Sequence, residues 1–160
     1  MSIVVVSDTS PLNYLIQIEL SEVLRRIYDR VLIPAAVLQE LKHAESPLLV
    51  RAWLLEIPAW IEVQDVQPRP DPTLDDLDPG ESAAIQLAQD IRADLVLMDE
   101  KLGVRRARDR GLKVAGTLGV LVQAAALGFV DIDEAITRLE ETSFRCTPEL
   151  FDQARRAGKK

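Results

Sequence analysis

Two kinds of apolar pattern alternate along this chain. Ile3-Val4-Val5-Val6 and Leu95-Val96-Leu97-Met98 are apolar at every position, as strands buried on both faces of a parallel sheet are. Val31-Leu32-Ile33 and Lys113-Val114-Ala115 are shorter strands. Residues 61–66 alternate Ile-Glu-Val-Gln-Asp-Val and read as a more exposed one. Between these runs lie segments with helical spacing. Ser10 and Pro11 predict a helix start, with Ser10 as the cap and Pro11 at the first helical position. Residues 21–27 read as a second short helix. Pro34 opens a third, whose apolar positions Val37, Leu38, Leu41 and Ala44 follow the helical period, and Pro47 opens a fourth, to about residue 56. Asp78-Pro79-Gly80-Glu81 starts a helix to about residue 91. Residues 101–110 form a basic helix closed by Gly111, and residues 117–127 an apolar helix closed by Gly128. Residues 133–141 and 148–157 predict peripheral helices.

Strand and helix in alternation predict βαβ units with helices on both sheet faces. The expected fold class is therefore α/β, a three-layer α/β/α domain with about five mainly parallel strands. The Pro- and Asp-rich stretch 67–77 reads as a loop and not a linker, because neither half beside it has enough strands to bury a sheet. The chain has 160 residues. One domain is expected over 1–160, with its core at about 3–140 and peripheral C-terminal helices within 131–157.

Composition narrows the function classes. Apolar residues are 48% and charged residues 28%, a globular balance that excludes a disordered tail or a collagen-like fibre. Nineteen basic against 26 acidic residues give a net charge of −7. That argues against gripping nucleic acid by bulk charge and leaves room for a local basic patch. A lone cysteine, Cys146, forms no internal disulfide and no Cys-rich zinc site. A lone histidine, His43, excludes zinc sites that need two on one helix. Residues 1–10 lack the basic start of a signal peptide. The longest charge-free stretch, 114–130, is broken by Gly116, Gly119, Gln123 and Gly128. It falls short of the ~20 residues of a membrane span. A cytoplasmic location with no membrane partner is expected. Glycine-rich nucleotide loops are absent from the sequence, and Trp53 and Trp60 read as packing residues.

What chemistry remains is acidic. Both fully apolar strands end in an acid, Asp8 after the first and Asp99 after the other. In a parallel sheet these ends share one edge, where such folds place their sites. Glu81 begins a helix leading into the Leu95 strand, and Glu40 lies on the helix after Ile33. Each acid also has a plainer reading. Asp8 suits a turn, Glu40 a solvated helix surface, and Asp99 with Glu100 a helix start. Asp78 and Glu81 match a capping box. Four carboxylates in one place repel unless a cation fills the gap. Without His or Cys to ligate it, that cation is a hard oxygen-seeking ion, Mg²⁺ or Mn²⁺. Beside these acids Lys101, Arg105, Arg106, Arg108, Arg110 and Lys113 reverse the overall charge. Lys101, Arg105 and Arg106 are the candidates for an RNA backbone, and a solvated helix face is the alternative.

Together these residues resemble a known family. Val6-Ser7-Asp8-Thr9-Ser10-Pro11-Leu12 resembles the opening of PIN-domain nucleases. Ile33-Pro34 with Val37 through Glu40-Leu41 resembles their second motif, and residues 77–88, with Gly80-Glu81-Ser82-Ala83-Ala84, the third. Residues 95–100 resemble the fourth. Gly116-Thr117-Leu118-Gly119-Val120-Leu121 resembles a branch of short prokaryotic PIN-like proteins.

The resemblance implies a Mg²⁺- or Mn²⁺-dependent endoribonuclease of the VapC-like toxin type, restrained by a small cognate antitoxin. It implies a catalytic set of Asp8, Glu40, Glu81 and Asp99, with Ser10 as a hydroxyl helper. Asp8, Glu81, Asp99 and Glu100 are the metal-ligand candidates, and either Asp99 or Glu100 supplies the fourth acid. Two departures stand out. Many members have Asp where Glu81 stands, and Leu97-Met98 supply no hydroxyl before the fourth acid. A catalytically weak PIN-like binding module is the alternative. Clustered carboxylates would also welcome an inserted Arg from a partner protein. The early helices around residues 15–24 are expected to give that partner, or a second copy, an apolar grip.

Overall fold

The computed structural model describes residues 2–43, 45–67 and 69–160. The helical position expected for Ala44 lies outside these residues, as do Met1 and Pro68. Five strands form one parallel sheet in the order β3-β2-β1-β4-β5: β1 Val4–Ser7, β2 Arg30–Pro34, β3 Ile61–Gln64, β4 Leu95–Leu97 and β5 Val114–Ala115. Nine helices are found among the described residues: α1 Thr9–Gln17, α2 Val23–Ile27, α3 Ala35–Leu41, α4 Leu48–Leu55, α5 Pro79–Ile91, α6 Lys101–Asp109, α7 Thr117–Ala126, α8 Ile132–Glu140 and α9 Pro148–Ala157. A single 3₁₀ turn, Pro72–Leu74, interrupts the Pro- and Asp-rich loop. None of the helices is long and apolar enough to cross a membrane.

The apolar runs are buried on both faces because each strand feeds two cores. Val5, Val31, Ile33 and Leu97 point into one core, shared with α1–α4 and α7–α9. Val6, Leu32, Val96 and Met98, one residue out of phase, point into the other, shared with α5 and α6. This alternation along unbroken apolar strands is what makes three layers. Trp53 and Trp60 pack partly buried against the first core, as packing residues do.

Gly111 and Gly128, both at φ +79°, close α6 and α7 in the same way. The Leu112 N–H bonds the Ala107 carbonyl at 3.1 Å, and the Phe129 N–H bonds that of Ala124 at 2.9 Å. This left-handed closure is cheap for glycine alone.

Two expectations need correction. Ser10 does not cap α1: the helix starts at Thr9, and Asp8 holds the capping position in extended backbone without a side-chain cap bond. The Ser10 hydroxyl reaches Asp99 instead, at 2.9 Å. Nor is the 15–24 segment an apolar surface, since Leu15, Ile16, Ile18, Val23 and Leu24 are all core residues. The helices turn those side chains inward onto the sheet. Exposed leucines occur on α4, where Leu48 is 76% and Leu55 90% exposed.

The chain runs from β1 outward to β3, then returns past β1 to lay down β4 and β5 on the other side. The strand order therefore reverses between β1 and β4, whose register pairs Ser7 with Leu97. A crevice opens at the carboxyl ends of strands at such a reversal.

Candidate metal centre

Asp8 is the first residue past β1, so it is delivered straight into that crevice. It is 4% exposed. Its Oδ1 has no hydrogen-bond partner. Burial pushes the carboxyl from its ordinary 3.8 up to about 8. The Thr9 backbone N–H opposes that rise, and Asp78, Glu81 and Glu40 add repulsion.

Glu40 reaches the same place from the last turn of α3. It accepts the Thr9 hydroxyl and, at 3.0 Å, the Gly80 N–H. Asp78 is the N-cap of α5. Asp8, Glu40 and Asp78 each offer a carboxylate oxygen, all within 4.8 Å of one another.

Glu81 performs two tasks with its two oxygens. A capping box is present: the Glu81 N–H donates to Asp78 Oδ1 at 2.8 Å, and the Asp78 N–H donates to Glu81 Oε1 at 3.2 Å. The other oxygen, Oε2, is buried without a partner. Burial raises this carboxyl to about 7, opposed by the Asp78 N–H, while Asp78 and Glu100 add like charge. The capping reading of Glu81 therefore holds, and it occupies only one of the two oxygens.

Asp99 is held apart from this group. Its Oδ1 accepts the Thr117 N–H at 2.7 Å, and its Oδ2 accepts the hydroxyls of Thr117 at 2.7 Å and Ser10 at 2.9 Å. It ties β4 to the starts of both α1 and α7. Glu100 is exposed at the N-cap of α6 and makes no side-chain cap bond.

Sequence reasoning treated Asp78 only as a cap and passed over Thr9 and Thr117. It also passed over three glycines. A Cβ at Gly80 would lie 2.5 Å from Glu40 Oε2, one at Gly103 2.6 Å from Glu81 Oε2, and one at Gly116 2.7 Å from Asp99 Oδ1. Bare backbone thus makes room for three of the four acids. The only trace in the sequence is that Gly80 adjoins Glu81 and Gly103 follows Asp99-Glu100 closely; no glycine lies near Glu40 or Asp8.

A substitution tests this. Gly103→Ala sets a Cβ 2.6 Å from both Glu81 Oε2 and Met98 Sδ. The overlap costs about 1–3 kcal/mol, more than the ~1 kcal/mol of helix propensity gained. Gly103→Ala should lower the urea midpoint and weaken divalent-metal binding together. A stabilised variant with unchanged metal affinity would show that the glycine makes no room for Glu81.

The donor set fits a hard divalent cation. The clustered ligands are all carboxylates, and two buried oxygens lack any partner. A cation there would offset the burial that chiefly lifts Asp8 and Glu81 and the like-charge repulsion that adds to it.

A family model described as DUF3368, PIN domain, matches residues 4–160. No curated protein matches the chain in sequence. Among solved structures, the chain is similar to a PilT N-terminus domain protein, SSO1118, from the hyperthermophilic archaeon Sulfolobus solfataricus P2. The TM-score is 0.52 at 15% identity, over 91% of this chain and 100% of that one. At that identity the likeness speaks for the fold. A family match running from β1 to the last residue, on a parallel sheet with carboxylates gathered at its switch point, makes this chain a member of the PIN domain family.

Proposed function

We propose that this chain is a metal-dependent endoribonuclease, the toxin of a toxin–antitoxin pair acting in the cytoplasm. PIN domains are divalent-metal-dependent nucleases. The observation that carries the reading here is the Asp8, Glu40 and Asp78 group, in which Asp8 Oδ1 is buried without a partner, with a second orphaned oxygen on Glu81, Oε2, one helical turn beyond Asp78. A folded chain leaves such atoms bare only at a cost, and a bound Mg²⁺ or Mn²⁺ removes that cost.

In this reading Asp8, Glu81, Glu40 and Asp78 hold the ion. When bound, it supplies an activated water and charge stabilisation at the phosphodiester. The chain's own groups keep the acids in place. Thr9 and Gly80 orient Glu40, the capping box orients Glu81, and Thr117 with Ser10 orients Asp99. With both its oxygens already bonded, Asp99 serves as the positioned carboxylate on the other side of the crevice. Glu100 adds negative charge near Glu81.

The purified protein should cleave RNA with Mg²⁺ or Mn²⁺ and not with EDTA. Metal-independent cleavage, or none with either ion, would remove the enzyme reading in favour of an inactive binding module. The toxin reading adds a small antitoxin partner, placing an Arg against the carboxylates and apolar side chains on the exposed leucines of α4. Co-expression with the neighbouring small open reading frame should yield a nuclease-inactive complex. A neighbour that neither binds nor inhibits would count against the toxin role alone.

A further inference from the structure

The basic helix α6 has two cationic rows with different employment. Arg106 and Arg110, four residues apart, face the loop before α5. Arg106 donates to Asp76 at 2.7 Å. Arg110 donates to Gln89 at 2.7 Å and also to the Asp71 carboxylate and the Thr73 hydroxyl. Both arginines are partly buried and clamp residues 71–76 onto the helix. Lys101, Arg105 and Arg108 recur at i, i+4 and i+7 and share another face. They are exposed, and they form no ion pair among the described residues.

That free row lines a cleft of about 520 Å³, with Asp99 among its lining residues and Asp109 its other acid. A second cleft, about 400 Å³, is also lined by Asp99 and Lys101. Its wall is of another kind. Gly116 and Gly119 leave part of it bare, Leu118, Phe144 and Leu150 give it an apolar side, and Arg145 and Thr147 give it a polar one. Leu150 is 46% exposed. Two clefts that share Asp99 and Lys101 therefore meet on the Asp99 side of the site.

We propose that these clefts form one track for single-stranded RNA, with phosphates along Lys101, Arg105 and Arg108 and one unstacked base against Leu118 and Leu150. This rests on the nuclease reading for its substrate. Seven helical residues advance about 10 Å, enough to follow a few nucleotides. The cationic row complements a phosphate chain, and the Leu118–Leu150 side of the second cleft complements the face of a base. A duplex keeps its bases stacked, and splayed single strands offer theirs. Arg106 belongs to the loop clamp and not to the track.

The test uses the Asp8→Asn protein in EDTA, so binding is read without cleavage. Fluorescence anisotropy of a short labelled single-stranded RNA is followed against salt. Arg105→Ala with Arg108→Ala should make the slope of log affinity on log salt shallower by about 1.4, at about 0.7 for each phosphate that is no longer neutralised. Arg106→Ala should leave the slope alone and lower the melting temperature. Leu150→Gln should weaken RNA binding several-fold and leave an abasic ribose-phosphate oligomer bound as before. Duplex RNA should bind more weakly than the single strand.

Equal slope changes from Arg106→Ala and the double variant would overturn the proposal. So would equal weakening for the abasic oligomer, or equal affinity for duplex. Absence of RNA binding, with polyglutamate bound instead, would assign the clefts to an acidic protein segment and also overturn it. None of these results touches the nuclease reading, which stands or falls on cleavage by the wild type.

Discussion

Asp8→Asn should raise the melting temperature of the metal-free protein at pH 7 while abolishing metal-dependent cleavage. The two effects have opposite signs because one buried charge causes both. The folded-state carboxyl titrates at about 8 against an ordinary 3.8, chiefly through burial. A raised pKa means that the folded chain binds the proton more tightly than the unfolded chain does. The associated stability is complete below about 3.8, declines as pH rises, and is gone above about 8. At pH 7 the loss is on the order of 4 kcal/mol. Asparagine keeps the shape and carries no charge, so it escapes that loss. A domain of this size gains roughly 2–4 °C per kcal/mol, so the rise should be several degrees.

Mg²⁺ or Mn²⁺ should then stabilise the wild type, because a ligand that binds only the folded state adds to its stability. The variant should not respond. Thermal denaturation from pH 4 to 8, with EDTA and with each ion, reads all of this at once. A variant that melts at or below the wild type at pH 7 in EDTA would show that the Asp8 charge is not strained. Full cleavage by a folded variant would remove Asp8 from the site.

Glu81→Gln should keep or raise the stability of the metal-free protein at pH 7, since burial lifts this carboxyl from 4.5 to about 7, and still lose metal binding and cleavage. Glutamine can keep the reciprocal bond to the Asp78 N–H, since a capping box accepts Glu or Gln. Oε1 makes that bond in the wild type, and Oε2 has no partner. The substitution removes the anionic character of Oε2 and leaves the cap. Asp78→Ala supplies the contrast in stability, because it removes the cap as well as a proposed ligand and should cost about 1 kcal/mol. Calorimetric titration with Mn²⁺ beside urea denaturation separates the two. If Glu81→Gln binds Mn²⁺ and cleaves RNA like the wild type, Glu81 is a cap and nothing more.

Much of the fold could be read along the chain because it is written in local pattern. The β-branched apolar run at 4–6 and the run at 95–98 have no polar face to give to water and are too short for a helix, so each reads as a strand between two layers. Gly111 and Gly128 stop helices for a reason confined to one residue, the freedom to take positive φ. Asp8 and Asp99 stood out because strand ends are local features and a parallel sheet brings its ends to one edge. The acidic centre was legible to that extent.

Tertiary structure decided what local pattern does not encode. Asp78 reads as a cap from its neighbours. That it stands within 4.8 Å of Glu40 and Asp8 depends on α3 packing against α5 across the β1–β4 reversal. Leu15 to Leu24 has the spacing of an amphipathic surface and is buried because the sheet lies beneath it. The arginines of α6 are alike in sequence. They are divided by the loop at 71–76, whose aspartates reach Arg106 and Arg110 and leave Arg105 and Arg108 to solvent. Residue type and period determine whether backbone is strand or helix and which side faces inward. Which side chains then meet is set by strand order and helix packing, through pairings of residues tens of positions apart, and no local period records these.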